Sequence, residues 1–389
     1  MSDGPTTARL IHHIKEIDPA AWDAAAGGDN PFVSHAFLLA CEESGCCAPE
    51  TGWGPTHVVI DGEDGAIDAC APLYLKSHSR GEFIFDYGWA DAFERAGGRY
   101  YPKLLSAVPF SPVPGPRLLV PPGPGIEDRR TSLIAALISA VRHFGVSSLH
   151  VNFCREDEWN TLGQAGFLQR TDQQFHWFNE GYDDFDDFLN HLASRKRKAI
   201  RKERREAVAD DIEIEVLTGP AIREDHWDAF YRFYMDTGSR KWGRPYFNRL
   251  FFSLLGEAMA DRIALVMCRR GGRYIAGALN LIGAETLYGR YWGCIEDHRF
   301  LHFETCYYQA IEFAIRHGLK SVEAGAQGPH KIARGYRPVP IYSAHWIENV
   351  SFRDAIENYL ARERREVGEG IDYMADMLPF RKGERERLD

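Results

Sequence analysis

The stretch FETCYYQAIEFAIRHGLKSVEA, residues 303–324, contains the pattern that decides the fold of this chain. Apolar residues recur three or four positions apart, which predicts one buried face of a helix over 303–317. Gly318 stops this helix, because glycine readily takes the left-handed conformation that closes a last helical turn. The run 319–324 then predicts a strand, so the stretch indicates a helix that leads directly into a sheet. The apolar face consists of Tyr307, Ala310, Ile311, Ala314 and Ile315.

Three strand-like runs precede this helix, at Ile263–Cys268, Ile275–Ile282 and Thr286–Trp292. The first half of the chain repeats this order of strands, helix and strand, which is typical of a duplicated unit. Its predicted strands are His57–Ile60, Ala69–Leu75, Phe83–Tyr87, Val146–Phe153 and a last one that ends near Phe178, and its predicted helices are Ser132–Phe144 and Glu156–Gln164.

The repeat is also visible in the residues themselves. Residues 140–146 read AVRHFGV and residues 314–319 read AIRHGL, while QAGF at 164–167 is answered by ARGY at 333–336. We therefore predict the α/β class, with a mixed sheet in each of two related domains. The predicted boundaries are 8–180 for the first domain, 181–360 for the second, and 361–389 for a C-terminal helix and charged tail.

The two halves differ in the connection between the central strand and the helix. In the first half it runs from Asp91 to Arg130 and holds eight of the twenty prolines, whereas in the second it spans only Cys294–His302. Such density of proline predicts an irregular surface loop at Pro109–Pro124. Between the repeats, Tyr182–Met259 is predicted to be mostly helical, with the acidic run 183–187 at a helix start.

Composition excludes several classes of protein. The 46 basic and 56 acidic side chains give a net charge of -10, so the bulk field does not favour nucleic acid or anionic membrane. The longest run without an ionisable side chain is Leu104–Pro116, far short of the roughly 20 apolar residues that span a bilayer. The N-terminus shows no secretory signal pattern. We predict a cytoplasmic protein without membrane insertion.

Eight cysteines are scattered through the sequence without a CxxC pair. This distribution is typical of reduced, mostly buried thiols, and it predicts neither a disulfide framework nor a metal site.

The most unusual local feature of this acidic chain is SRKRKAIRKERR at residues 194–205, where only Glu203 opposes eight Lys and Arg residues. We predict a basic helix over 194–206, on which cations one turn apart share a face that can hold phosphates. The alternative is a solvated helix paired with the acidic run 183–187. The residues expected to bind donor phosphates are Arg197, Lys198, Arg201 and Lys202.

A second constellation lies between the strand that ends at Trp292 and the following helix. Arg290, His302 and Glu304 converge there, and a helix N-terminus favours anions because its N–H groups are unpaired. In the alternative interpretation, Glu304 only complements the helix dipole and His302 only caps the helix.

A third constellation, EAGAQGPHKIARGY at residues 323–336, directly follows an apolar strand. Open α/β sheets commonly place ligands at such glycine-rich turns. Glu323 and His330 are candidates for a base or acid, while Lys331 and Arg334 supply cations. The sequence contains no P-loop, HExxH, GxSxG or strand-borne GxGxxG motif. Expected substrate contacts are Arg290, Tyr291, Trp292, Gln327, Arg334, Tyr336 and Trp242.

These motifs resemble tandem acetyltransferase-like (GNAT) domains arranged as in the Fem-type peptidoglycan aminoacyltransferases. The resemblance is carried by the basic segment 195–202, by Lys331 followed by Gly335 and Tyr336, and by four longer matches. Those matches resemble a bacterial FemAB-like family of predicted N-acyltransferases and peptidoglycan biosynthesis and recognition proteins, and the similarity runs from Asn30 to Ile347. The matching stretches are HFETCYYQAIEFAI at 302–315, EAGAQGPHKIARGY at 323–336, FDYGWADAF at 85–93 and YYPKLL at 100–105.

The resemblance implies transfer of an acyl or aminoacyl group to a small-molecule amine acceptor, with a cell-wall precursor as one candidate. Lys331 matches the Fem-type lysine and would stabilise the oxyanion. No permanently bound cofactor is implied; the co-substrate would be acyl-CoA or aminoacyl-tRNA. Acetyl-CoA-dependent GNAT enzymes grip pyrophosphate with a glycine-containing turn, whereas Glu296–Phe303 contains no glycine. An aminoacyl-tRNA donor would suit the basic helix.

The base is left open among four residues: Glu304 and Glu323 come first, His302 and His330 second. The rival interpretation is a non-catalytic protein that recognises a peptidoglycan precursor or RNA. In support of it, the first domain has Val151 where the second has Glu323, and so looks poorer in chemistry.

Overall fold

A computed structural model of the chain describes residues 7–240, 245–326 and 328–381. The strands are β1 Ala8–Ile11, β2 Trp53–Pro55, β3 His57–Asp61, β4 Ile67–Ala71, β5 Tyr74–Lys76, β6 Lys103–Ser106, β7 Ser148–Cys154, β8 Leu168–Phe178, β9 Ile212–Leu217, β10 Ile263–Arg270, β11 Arg273–Ile282, β12 Thr286–Cys294, β13 Ser321–Glu323 and β14 Arg337–Ile347. The α-helices are α1 Pro19–Ala26, α2 His35–Glu43, α3 Tyr87–Arg95, α4 Ile126–Phe144, α5 Glu156–Gln164, α6 Phe185–His191, α7 Ser194–Ala207, α8 Glu224–Arg240, α9 Arg249–Met259, α10 Leu301–Phe303, α11 Gln309–Arg316 and α12 Val350–Ala375.

The chain divides into two compact units. The first unit comprises the described residues up to Asp172 together with Ile341–Val367, and the second comprises Gln173–Pro340 and the described residues from Gly368 onward. The predicted boundaries at 180 and 360 differ from this division, because the chain returns to the first unit along β14, whose residues 342–347 pair with β7.

The sheet of the first unit runs in the order β2-β5-β6-β7-β14, with β6 and β7 parallel and α4 connecting them. The register places Leu104 opposite Leu149 on one face, which packs against Leu133 and Leu137 of α4. On the other face Lys76 pairs with Lys103 and His150 with His345. This face is polar, although the four side chains are buried. A small sheet of order β1-β3-β4 completes the unit.

The sheet of the second unit runs in the order β8-β13-β12-β11-β10-β9. Here β12 and β13 are the parallel pair, and α10 and α11 connect them. The apolar residues that predicted this helix, including Ile311 and Ala314, pack against Trp177, Leu287 and Val322 in one core. Each unit thus contains a parallel strand pair joined by a helix within a mixed sheet, which confirms the predicted α/β class.

Two local predictions were wrong. Residues 83–87 form no strand, since Phe83 has a left-handed backbone (φ 61°) and Tyr87 begins α3. The proline-rich stretch is irregular, as predicted, but much of it is buried: Arg117 is fully buried and donates hydrogen bonds to the carbonyls of Val113 and Asn152. The segment 182–259 is mostly helical, as predicted, and it also contains β9, which pairs with β10.

Within the described residues, no helix combines the length and apolarity needed to cross a bilayer.

Candidate functional site

The site predicted from the sequence lies in the second unit, around the carboxyl ends of β12 and β13. The ladder between β11 and β12 shifts register at Arg290: Leu279 pairs with Tyr291, but Asn280 pairs with Gly289. Arg290 is therefore the extra residue of a β-bulge, a device that re-aims a side chain next to many active sites.

Arg290 points into the protein and pairs with Glu323 at the end of β13. Its Nη2 lies 2.7 Å from Oε2 of Glu323, and its Nη1 donates to the carbonyl of Gly289 at 2.9 Å. Both side chains are almost completely buried. Burial, Arg290 and Lys331 together lower the pKa of His176, on the neighbouring strand β8, to about 3. Arg290 and Glu323 thus form a fixed ion pair beneath the site.

Lys331 lies on a short 3-10 helix, Pro329–Arg334, that follows β13. The residue is only 3% exposed, and Nζ donates to the carbonyl oxygens of Ala324 at 2.5 Å and Gly325 at 3.1 Å. No carboxylate among the described residues bonds to it. Burial lowers the pKa of Lys331 to about 8, and nearby Arg290 adds to this effect. Lys331 therefore has an N–H left to donate and exchanges its proton near neutral pH.

Four aromatic side chains form a continuous group beside Lys331. Nε2 of His330 lies 3.0 Å from the hydroxyl of Tyr307, whose ring contacts His302, and His302 contacts Trp292. His330 is exposed at the surface. Partial burial, followed by Arg334 and Lys331, lowers the pKa of His330. The imidazole is accordingly neutral at pH 7 and can accept a proton.

The helix after β12 is interrupted by a π-helical turn, Glu304–Tyr308. Such turns are rare and occur often at functional sites. Glu304 is buried within it and accepts hydrogen bonds from Arg204, at 3.0 and 2.9 Å, and from Gln309, at 2.8 Å. Arg204 also pairs with Glu312 at 2.8 Å. The carboxylate of Glu304 is thus fully occupied by donors.

Arg334 is buried, and each of its three guanidinium nitrogens donates a hydrogen bond. Its Nη2 lies 2.8 Å from Glu203 Oε2, its Nε donates to the hydroxyl of Tyr308 at 2.9 Å, and its Nη1 donates to the carbonyl of His330 at 2.8 Å. The hydroxyl of Tyr308 donates in turn to Glu203. The guanidinium also covers the ring of Phe303 at 3.5 Å. Arg334 therefore ties α7, the π-helical turn and the turn that carries Lys331 to one another.

The predicted basic helix is confirmed as α7, and its residues divide between two faces. At 3.6 residues per turn, Arg195, Lys198, Lys202 and Arg205 share one exposed side, which we call the outward face. Glu203 and Arg204 turn inward, toward Arg334 and Glu304.

The four predicted phosphate-binding residues differ in how strongly they are engaged. Lys198 has no partner among the described residues, and Lys202 faces Glu206 at 3.5 Å. Arg197 donates to Asn190, and Arg201 pairs with Asp186 of the acidic run at 2.9 Å. The alternative interpretation, a solvated helix paired with the acidic run 183–187, therefore holds for one exposed ion pair. Such a pair contributes little free energy to folding.

A pocket of about 420 Å³ opens beside α7, between α6 and α11. Its charges cancel, so it adds nothing to an anion-binding surface. The charged residues that line it are Arg201, Arg204 and Arg205 on one side and Asp184, Asp186 and Glu312 on the other.

The remaining predicted contacts are packed inside the second unit or fall outside the described residues. Tyr291 faces away from Lys331 and packs against Tyr234 and Phe247. Tyr336 is completely buried against Tyr307. Gln327 and Trp242 lie outside the described residues. No group of His, Cys, Asp or Glu side chains among the described residues is arranged to hold a metal ion.

Sequence reasoning missed the inward partners of this site: Glu203, Arg204, Tyr307 and Tyr308. One signal was available, since Glu203 is the only acid in the run 194–205. A single acid among eight cations on an amphipathic helix predicts an inward ion pair, because no other residue of the run can neutralise a buried arginine.

Comparisons with known proteins agree with this picture. A family model described as FemAB-like, peptidoglycan biosynthesis/recognition, matches residues 13–382. No curated protein sequence matches the chain.

Solved structures share the fold. The crystal structure of FemX is 12% identical and covers 90% of this chain and 100% of its own, with a TM-score of 0.56. The structure of L-PGS from Bacillus licheniformis is 9% identical, covers 88% of this chain and 97% of its own, and has a TM-score of 0.54. The C-terminal domain of a putative lysylphosphatidylglycerol synthetase from Agrobacterium fabrum is 10% identical, with coverages of 88% and 94% and a TM-score of 0.53. The fold shared with FemX confirms the predicted Fem-type fold.

Proposed function

Because this chain belongs to the FemAB-like family of peptidoglycan biosynthesis and recognition proteins, we propose that it is an N-acyltransferase with its site around Lys331. It moves an acyl or aminoacyl group from an activated ester or thioester to the amine of a small-molecule acceptor. The family description points to a cell-wall precursor as the acceptor.

The observation that carries the proposal is the environment of Lys331. A buried ammonium that, among the described residues, is held by two carbonyls and no carboxylate, with its pKa lowered to about 8, is a strong donor toward developing negative charge. A structural lysine would be buried with a carboxylate partner. The bulge at Arg290 and the π-helical turn at Glu304–Tyr308 border the same place.

The ion pairs of the site favour His330 as the base. Glu304 and Glu323 are each bound to a buried or half-buried arginine, so neither carboxylate is available for an acceptor amine. His330 is exposed, neutral at pH 7 and oriented by Tyr307. It takes the proton of the amine as the nitrogen attacks the carbonyl carbon, and Lys331 stabilises the oxyanion. Collapse of the intermediate breaks the bond to the leaving oxygen or sulfur, which takes up a proton.

The outward face of α7 favours aminoacyl-tRNA over acyl-CoA as the donor. Its four cations extend over residues 195–205, about 15 Å of helix, which is longer than one pyrophosphate and suits a phosphate backbone. Exposed Lys and Arg side chains that lack buried partners bind polyanions through a salt-dependent, sequence-independent attraction.

The test is acyl transfer by purified protein, with charged tRNA or acyl-CoA as donor and a cell-wall precursor amine as acceptor, followed by mass spectrometry. We expect Lys331→Met to reduce turnover about 100- to 1,000-fold, as loss of an oxyanion donor does. Lys320→Met is the matched control, because Lys320 is exposed and pairs only with Glu285. Unchanged turnover in Lys331→Met would refute the assignment.

The same experiment also tests the rival function, a non-catalytic recognition protein. That rival is favoured by the engagement of Arg290 and Arg334 in internal bonds, because those bonds hold both guanidinium groups inside the protein. Binding of the precursor without consumption of any donor, under conditions where all donors are supplied, would support it.

A further inference from the structure

Helix α7 carries two sets of charged residues that face opposite ways. The outward face, defined above, is exposed, whereas Glu203 and Arg204 point into the second unit. Because the two sets share one rigid helix, a molecule bound to the outward face also fixes the position of the inward residues.

The inward residues connect directly to the turn that carries Lys331. Glu203 holds Arg334, and Arg334 donates to the carbonyl of His330, the peptide that immediately precedes Lys331. A second connection runs from Arg204 to Glu304 at the start of the π-helical turn. That turn carries Tyr307, which orients His330.

We infer that Glu203 and Arg204 are positioning residues that set the place of Lys331 and His330, while the outward face of the same helix binds the donor. This inference rests on the proposed function and deepens it: the helix is both the anion-binding element and the support of the reacting groups. Glu203 and Arg204 act through Arg334 and Glu304, to which they are bonded.

Electrostatics give this role a signature that simple packing would not. Arg334 lowers the pKa of His330, and Glu203 neutralises Arg334. Replacing Glu203 by Gln leaves the Arg334 charge unopposed and should therefore lower the pKa of His330 further. If His330 is the base, the acidic limb of the rate profile moves to lower pH, because the imidazole stays neutral at lower pH.

The chain offers matched variants on one helix. Glu203→Gln tests the inward set, and Glu206→Gln is its control, because Glu206 pairs only with Lys202 and Arg299 at the surface. A fourfold Gln replacement of Arg195, Lys198, Lys202 and Arg205 tests the outward face.

Two readouts do not depend on turnover. The pKa of His330 is followed by NMR titration, with His330→Asn for assignment, and the reactivity of Lys331 by competitive labelling with acetic anhydride and mass spectrometry. Binding of unfractionated tRNA is measured as a function of salt.

We expect Glu203→Gln to lower the His330 pKa, change Lys331 labelling and reduce kcat about 100-fold, as misplacement by 1 Å can do, without weakening tRNA binding. The fourfold variant should lose tRNA binding and leave both titrations unchanged. Tyr308→Phe, which removes one bond to Glu203 and one to Arg334 without changing a charge, should change Lys331 labelling by less than Glu203→Gln does, and it serves if Glu203→Gln does not fold.

The same His330 pKa and the same Lys331 labelling in Glu203→Gln and Glu206→Gln would overturn the inference. Unaltered Lys331 labelling in Glu203→Gln and Tyr308→Phe would do so even if no donor is ever consumed. Absence of turnover in the wild type, by contrast, refutes the proposed function and leaves the positioning role to be judged by the two titrations.

Discussion

Each unit buries a lysine close to its parallel strands, and the two lysines have opposite surroundings. Lys103 of the first unit donates to Ser79 and Glu82, both at 2.7 Å, and to Asp86. Within the described residues, Lys331 of the second unit donates only to two backbone carbonyls. Burial lowers the pKa of both side chains, but Glu82 and Asp86 outweigh burial at Lys103 and raise its pKa, whereas that of Lys331 falls to about 8.

The difference shows that burial alone does not make a lysine reactive. An ammonium locked between two carboxylates has its positive charge neutralised and its N–H groups occupied, so it stabilises one arrangement of the chain. An ammonium held by carbonyls keeps a positive charge that no carboxylate neutralises, so it can interact with a substrate that binds at the site. The first unit therefore contains ionisable groups without open chemistry, although its sequence looked merely poor in them.

Replacing Lys103 should give the largest effect, a loss of stability that the matching change at Lys331 does not cause. In Lys103→Met the carboxylates of Glu82 and Asp86 remain buried without their cation, and we expect a loss of about 3 to 5 kcal/mol in the free energy of unfolding. Urea titration measures this loss. Lys331→Met leaves no carboxylate unpaired and should lose far less stability; similar losses in both variants would remove the distinction.

The protonation state of Lys331 gives the next largest effect. Because the oxyanion needs the ammonium, turnover should fall above pH 8, about tenfold per pH unit, as Lys331 loses its proton. In Lys331→Arg the guanidinium stays charged, so the residual activity should lack this alkaline limb. The pH dependence of kcat measures both. An identical limb in Lys331→Arg would show that another group titrates there.

How much of this contrast the sequence could predict depends on how local its causes are. Helix α5 was predicted with its bounds, and the basic helix and the turn with Lys331 were located, because period, charge and glycine are local signals. The Lys103 cluster brings together residues from distant segments, which no local pattern reveals. Residues 83–87 looked like a strand because Glu82 and Asp86, which bind Lys103, alternate with aromatic residues.

The role of each predicted site residue depended in the same way on its partner. Glu304 and Glu323 were reasonable bases by residue type and place, yet each lies against an arginine that the sequence could not pair with it. Their assignment as bases stays a prediction, and the geometry favours His330. The predicted domain bounds also stay a prediction. They could not include the return of β14 to the first unit, because that pairing has no local signal in the sequence.

Two buried histidines beside the Lys103 cluster should make the first unit sensitive to acid. Nδ1 of His150 lies 2.8 Å from Nδ1 of His345, and both side chains are buried. Burial lowers the pKa of His150 to about 3 and that of His345 well below its usual value, with Lys103 adding to the shift at His150. The folded state thus resists the protons that the unfolded state binds below pH 6.5.

Stability should therefore fall as the pH drops below 6.5, by about 2 kcal/mol per histidine at pH 5. Urea titrations at pH 7 and pH 5 measure the fall, and His345→Gln should reduce it by removing one of the two groups. His317→Gln is the control, since His317 is exposed. An equal fall in wild type and His345→Gln would show that other groups carry the acid sensitivity.

Lys76 is an intermediate case between the two lysines and gives the smallest effect. It is buried like Lys103, but the nearest carboxylate oxygen, Oε1 of Glu82, is 3.7 Å away, and Nζ lies 3.9 Å from the centre of the Trp53 ring. Burial lowers its pKa to about 7. Between pH 7 and pH 10 the unfolded chain holds this proton more strongly than the folded chain, so the Lys76 contribution to stability rises with pH. At pH 7 the charge is buried at a cost, and an apolar side chain of similar volume should replace it with a change in the free energy of unfolding within about 1 kcal/mol.

Lys76→Met should accordingly leave the free energy of unfolding nearly unchanged at pH 7. At pH 9 the variant should be less stable than the wild type, in which the amine is buried uncharged. Urea titrations at the two pH values measure the difference. A loss at pH 7 as large as that of Lys103→Met would mean that proximity to Glu82, rather than direct hydrogen bonding to it, decides which buried lysines are structural.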